Sequence, residues 1–348
     1  MKKADMFKPF DALLLVSFGG PECREDVMPF LENVTRGKNV PRERLTEVVE
    51  HYCHFGGASP INQQNRELIA ALSAELSEHG CRLPIYWGNR NWNPLLPGAI
   101  RQMRDDGVQR ALAFVTSAFS SYSGCRQYRE DIELARAEVG PTAPPVVKLR
   151  PFFNHPGFIE AVADRVQEAL AKVSQHHRAS THLVFTAHSI PIAMANSCQY
   201  ATQLHEACSL VADRVGGLPW SLAYQSRSGS PDQPWLEPDI GDWLREFPRH
   251  NERTHVVVIP IGFISDHVEV LFDLDHEAKE IADTCGLQLI RAGTVGTHPR
   301  FVRMIRELIT ERMEGLPPQS LGSLGPNPDV CPETCCLSGR PARPIAST

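Results

Sequence analysis

A basic excess is missing from this chain of 348 residues. Its 35 lysines and arginines fall short of its 41 aspartates and glutamates, and the net charge of −6 leaves no footprint for a nucleic acid. Long apolar runs are missing too: none approaches the ~20 residues that a membrane-spanning helix needs. The opening MKKADMFKPFDALLLVSF places lysines before an apolar run, but Asp11 breaks that run and Gly19-Gly20-Pro21 follows it. With no small-residue cleavage site, the stretch predicts a first β-strand of a cytoplasmic protein rather than an export signal. No repeat of about 20–50 residues is visible, which sets aside solenoids. A P-loop and a Gly-x-Gly-x-x-Gly stretch are also absent, so the common phosphate cradles are not expected.

Cysteine, by contrast, is plentiful. Seven of the ten are scattered, while Cys331, Cys335 and Cys336 crowd into CPETCC. A chain this long has no need of disulfide staples, and clustered thiols in a reducing compartment favour metal or cluster binding. A structural zinc and reactive surface thiols are the competing readings.

Short aliphatic runs alternate with amphipathic stretches, the signature of βα units in a mostly parallel sheet. Strands are expected at 12–18, 83–89 and 110–118, then at 182–189, 220–226, 255–262 and 287–293. Helices are expected at 61–80, 158–173 and 301–315. The β-α-β-α order occurs twice around a Pro-rich joint at 140–157. The predicted fold is therefore α/β, with two similar lobes over 8–150 and 151–316 meeting at a cleft, and a tail over 317–348 laid on the body. Such sheets place their chemistry just past the carboxyl ends of their strands.

At one of those ends lies SDHVEVLFDLDHEAKE (265–280), with six acids and two histidines in sixteen positions. On an α-helix each residue turns ~100°, so Glu269, Asp273 and Glu277 form a row ~12 Å long on one face. A solvated acidic face is the plain alternative. Against it, no lysine or arginine interrupts the row before Lys279, and like charges four apart repel unless a cation or protons compensate. At another strand end, FTAHSIP carries His188, which is either a hydrogen-bonded core histidine or a group aimed into the cleft. An imidazole facing a carboxylate suits a divalent ion such as Fe²⁺, Zn²⁺ or Co²⁺, and it can equally accept a proton near neutral pH.

Taken in order, LLLVSFGGPE, HFGGASPIN, FTAHSIP, YQSR and GFISDHVEVLFDLDHE resemble the ferrochelatases over roughly residues 10–315. The resemblance implies two Rossmann-like lobes around a porphyrin cleft and insertion of Fe²⁺ into a free-base porphyrin with release of two protons, in haem biosynthesis. It implies His188 and Glu269 as the metal-binding and proton-accepting pair, with Asp273 and Glu277 carrying metal or protons along the row. It also implies porphyrin contacts from Ser59, Tyr128 and Arg36. Two departures stand out: Phe18 replaces a tyrosine that can ligate product iron in some relatives, and Asn91 replaces a histidine. FLENVTRGKNVPRERL, YWGNRNW and SSYSGCRQYRED resemble the actinobacterial branch, which implies coproporphyrin III as substrate, with Arg36, Arg90, Arg126 and Arg227 available for its four propionates. It further implies a [2Fe–2S] cluster on Cys125, Cys331, Cys335 and Cys336, and product hand-over to a downstream haem-synthesis enzyme. Protoporphyrin IX as substrate, a non-catalytic haem or metal carrier, and a cobalt chelatase for corrin-type rings are the alternatives.

Overall fold

The computed structural model describes residues 9–37, 40–228 and 233–338. Residue 8 of the first predicted lobe, Lys38 of the TRGK stretch and the last ten residues of the predicted tail lie outside the described residues. Two four-stranded sheets, parallel throughout, carry the fold. The first contains β1 (Ala12–Ser17), β2 (Ile85–Asn89), β3 (Ala111–Val115) and β4 (Val146–Lys148), in the order β2-β1-β3-β4. The second contains β5 (His182–His188), β6 (Trp220–Gln225), β7 (His255–Ile259) and β8 (Gln288–Arg291), in the order β6-β5-β7-β8. The same winding is thus used twice. In this winding the crossovers diverge from the first strand, and the crevice that opens there receives ligands.

The sequence explains the depth of these strands. β1, β3 and β7 are buried along their whole length, as parallel strands covered by helices on both faces must be. Leu13 sits in register with Ile85 and Leu112, and Phe185 with Leu222 and Ile259. One apolar core runs through both sheets, joining Leu13, Leu15 and Phe114 to Phe185, Val257 and Ile259. The helices Pro156–Leu170 and Pro299–Glu314 fill the space between, where Phe152 packs on Phe114 (5.3 Å) and Phe301 (5.8 Å). No helix among the described residues is long and apolar enough to cross a membrane.

The Pro-rich joint holds a strand that the sequence does not announce. β4 is three half-buried residues between prolines, too short for a period to register, yet it pairs with β3. Just beyond it, buried Arg150 makes a two-pronged ion pair with Glu311 and also donates to the Gln319 carbonyl (2.8 Å). Asn154 follows, donating to the carbonyls of Leu321 and Gly325. These contacts lay the first part of the tail along the body.

Candidate active site

The acid row begins where β7 ends. Gly262 lets the chain turn there: a Cβ at this position would stand 2.7 Å from Ala187, next to His188 on β5. The row then rides on Val268–Val270, Leu271–Glu277 and Ala278–Thr284, a continuous helical run whose middle segment is a π-helix. This differs from the plain α-helix expected. Bonding five residues apart widens the turn, so residues spaced by four stay closer to one face than on an α-helix.

His188 and Glu269 meet across the two elements. His188 Nε2 lies 3.9 Å from Glu269 Oε2, with 35% and 53% of the two side chains exposed. The other ring nitrogen donates to the Ser189 carbonyl (2.6 Å), which fixes the tautomer and turns Nε2 toward the carboxylate. Tyr200 holds the His188 carbonyl at 3.0 Å. A gap of 3.9 Å is too wide for a direct hydrogen bond and close to the sum of two metal–ligand bonds of ~2.0–2.2 Å each. His267 Nδ1 lies 4.0 Å from the same Glu269 oxygen, and burial holds this imidazole below its usual range against the pull of Glu269. His267 stands in the quoted SDHVE stretch, but its role at the helix start was not read from sequence.

Asp273 lies deeper. Burial pushes its carboxyl up to about 7, with Glu269 and Glu277 adding to the rise and hydrogen bonds from Ser226 and Gln225 opposing it. Ser226 is held in the left-handed region at φ 57°, a costly backbone for serine that aims its hydroxyl at Asp273. Glu277 is exposed at the outer end, and burial of its carboxyl together with nearby Asp239 raises its pKa. The row thus holds a buried carboxyl, Asp273, between two exposed ones, Glu277 at its far end and Glu269 beside the histidine.

An open cleft of about 470 Å³, lined by Glu22, Phe55, Ala58, Ser59, Pro60, Gln63 and Arg66, meets the π-helix at Leu271, whereas His188 and the three acids do not line it. Its size falls within the ordinary range for small-molecule sites. Gly20 lets the loop after β1 approach Ser59, since a Cβ there would come within 2.8 Å of it. Ser59 is thus a cleft residue, and Arg36 is exposed on the same lobe. Tyr128 is not on the cleft wall: it is 5% exposed, with the Arg90 guanidinium 4.5 Å over its ring. Arg90 is also 5.9 Å from the Phe18 ring, and the Asn91 backbone donates to the Phe18 carbonyl at 3.0 Å. Of the four arginines expected to serve propionates, Arg90 is paired with Asp131 and Arg126 is engaged at the tail, as described next. Their burial and their partners remove both from that role.

A second site lies where the tail returns. Cys125 sits in a π-helix, Tyr122–Arg126, ahead of the helix Gln127–Val139. Arg126 donates to the carbonyls of Glu333 and Cys335, stapling the loop 331–336 against this segment. Cys335 Sγ and Cys336 Sγ are 3.2 Å apart as free thiols, and Cys336 is buried at φ 55°. Burial, with Cys335 and Cys125 nearby, raises the Cys331 thiol to about 11 and raises Cys336 further. Two buried and two half-buried thiols drawn to one place, with ionisation of Cys331 and Cys336 opposed, are a donor set that a thiophilic iron centre would relieve, and so they fit one. Cys198 is a fifth, unforeseen thiol: its ionisation is opposed by burial and by Cys335 and Cys125, and adjacent Ser197 donates to the Leu337 carbonyl at 2.6 Å.

The ferrochelatase family profile matches residues 10–313. A ferrochelatase from Rhodopirellula baltica is 58% identical over 339 residues, covering 97% of this chain and 96% of its own. Coproporphyrin III ferrochelatases from Mycolicibacterium smegmatis and Streptomyces coelicolor are 50% and 48% identical, each over 97% of this chain and 99% and 96% of their own. Among solved structures, SirB from Bacillus subtilis with Fe³⁺ superposes with a TM-score of 0.55 at 10% identity, over 87% of this chain and 97% of that one, a likeness of fold alone.

Proposed function

Since the chain belongs to the ferrochelatase family and is an enzyme that inserts iron into a porphyrin, we propose that its porphyrin is coproporphyrin III and that insertion takes place between His188 and Glu269. The observation that carries this reading is the 3.9 Å separation of His188 Nε2 and Glu269 Oε2 at the carboxyl end of β5. Fe²⁺ is a substrate here and keeps its oxidation state. Two pyrrole N–H bonds break, their electron pairs stay on nitrogen and bind the iron, and two protons leave. His188 Nε2 and Glu269 take up metal and protons at the ring. Asp273, with a carboxyl poised near neutrality, and Glu277 carry hydrated metal inward along the row or the departing protons outward.

Ser59, which lines the cleft, and Arg36, which offers a guanidinium to a propionate, are assigned to the porphyrin, whereas buried Tyr128 is left supporting Arg90 from beneath. The choice of coproporphyrin III is supported by relatives of that name at about half identity over nearly the whole chain. A product with four carboxylates is water-soluble, which supports a reaction in the cytoplasm and release to a downstream haem-synthesis enzyme. Cys125, Cys331, Cys335 and Cys336 would hold a [2Fe–2S] cluster, which when bound supplies a one-electron couple and a clamp on the tail. Metallation does not run through it.

Side-by-side anaerobic assays with Fe²⁺ test the substrate. The expected kcat/KM for coproporphyrin III exceeds that for protoporphyrin IX by about tenfold or more, the scale set by leaving one polar group without its partner. Equal or reversed values would overturn the assignment.

A further inference from the structure

Glu269 stands in the first turn of its helical run, and that start has no side-chain cap. His267 occupies the cap position in extended backbone, and its side chain accepts no bond from the turn that follows. An uncapped start leaves backbone N–H groups without partners and frays. Yet this turn holds Glu269 at 3.9 Å from His188. The restraint comes from outside the run. Arg291, the last residue of β8, spreads its guanidinium between two carboxylates. Nη1 and Nη2 donate to Asp266, the residue before the cap, at 3.0 and 3.4 Å. Nε and Nη2 donate to Asp275 of the π-helix at 2.6 and 2.9 Å. The two acids flank Glu269 and Asp273 in sequence. Asp275 is two positions from Asp273 and from Glu277, which turns it to the other side of the helix, so Arg291 grips the run without entering the row. A third tie comes from the first lobe, where Gln64 Oε1 accepts from the Asp266 backbone N–H at 2.9 Å. Gln64 lies in the first turn of the helix Ile61–Glu78, next to Gln63 of the cleft wall.

We propose that Arg291 is a positioning residue for Glu269, bracketing the start and the π-helical middle of the run, while Gln64 pins the same start from the first lobe. This rests on the reading of Glu269 as the partner of His188 in insertion. Exposed ion pairs restrain little. Here the side chains of Arg291 and Asp266 are only 16% and 22% exposed, and both contacts are forks that a guanidinium makes and an ammonium does not. The bracket also grips the run where a rare π-helical turn interrupts the α-helical ladder. The first lobe's hydrogen bond joins the cleft wall to the residue before the cap, so the porphyrin's wall and the metal-site helix share one anchor.

The test compares the full-length wild type, Arg291→Met, Arg291→Lys and Gln64→Leu by amide hydrogen exchange and by single-turnover insertion of Fe²⁺ into coproporphyrin III, with Glu269→Gln alongside. In the Arg291 variants exchange over 266–277 is expected to quicken by about tenfold or more, with the remainder of the second sheet unchanged. Insertion slows by about tenfold to 10²-fold, and in steady state kcat falls while KM for the porphyrin is retained. Arg291→Lys keeps the charge and loses the double fork, so it melts close to wild type and still inserts iron slowly. A role in stability alone would restore its rate. Gln64→Leu quickens exchange at 266–269, and wild-type exchange there overturns the share given to the first lobe. Wild-type exchange over 266–277 in both Arg291 variants overturns the proposal, as does wild-type insertion by both while Glu269→Gln is slow. Quickened exchange, with wild-type insertion by Glu269→Gln, instead sinks the reading of Glu269 and leaves the bracket standing. Should Arg291→Met fail to fold, Asp275→Asn, at an exposed position, removes one arm of the bracket and gives the same readout.

Discussion

At the scale of single residues, Asp273 is where burial and function pull against each other. Its carboxyl is raised to about 7 from an ordinary value near 4, so between those pH values the folded state holds a proton that the unfolded state has released. Stability from this group is therefore full at about pH 4 and is lost as pH rises to about 7. Asp273→Asn is expected to raise the melting temperature at pH 8 by about 2 °C, on the order of 1 kcal/mol, and to change it little at pH 4, while slowing metallation. Thermal melts at both pH values check this, and equal shifts at the two would contradict it. His188, Glu269 and Asp273 were legible because spacing and strand-end position are written in the sequence. His267 and Cys198 were not. His267 faces Glu269 through the geometry of the helix start, and Cys198 reaches the tail thiols only because the chain after HSIP folds back beneath residues 331–337.

At the scale of elements, two π-helices mark the two sites, one bearing the acid row and one bearing Cys125. Such turns recur at functional sites, and the sequence carries no period from which to read them. The alternating α/β pattern gave seven of the strands within a few residues, whereas β4 was lost among prolines. The tail depends on a staple that only the folded chain reveals. Arg126→Ala removes the donors to the Glu333 and Cys335 carbonyls, so limited proteolysis should cut the tail several-fold faster and the visible absorption expected of the proposed cluster should diminish. Cys331→Ser should abolish that absorption and lower yield. A purified Cys331→Ser protein with unchanged visible absorption would contradict the cluster assignment.

At the scale of the whole molecule, the two sheets are not independent bodies that happen to touch. They share an apolar core, and the buried Arg150–Glu311 pair ties the segment after β4 to the C-terminal helix and the start of the tail. Glu311→Ala leaves Arg150 buried without its carboxylate, which costs about 3–5 kcal/mol. Denaturant unfolding should register that loss as one transition, since the pair lies within a continuous core. Within the second sheet, the pairing of β5 with β7 holds the His188 strand and the Glu269 helix at their separation.

The most direct measurement is single-turnover insertion of Fe²⁺ into coproporphyrin III by wild type, His188→Ala and Glu269→Gln, with porphyrin binding measured in parallel. Both variants should bind the porphyrin within a few-fold of wild type and insert iron about 10²-fold or more slowly. Insertion at the wild-type rate by either variant would contradict a site between His188 and Glu269.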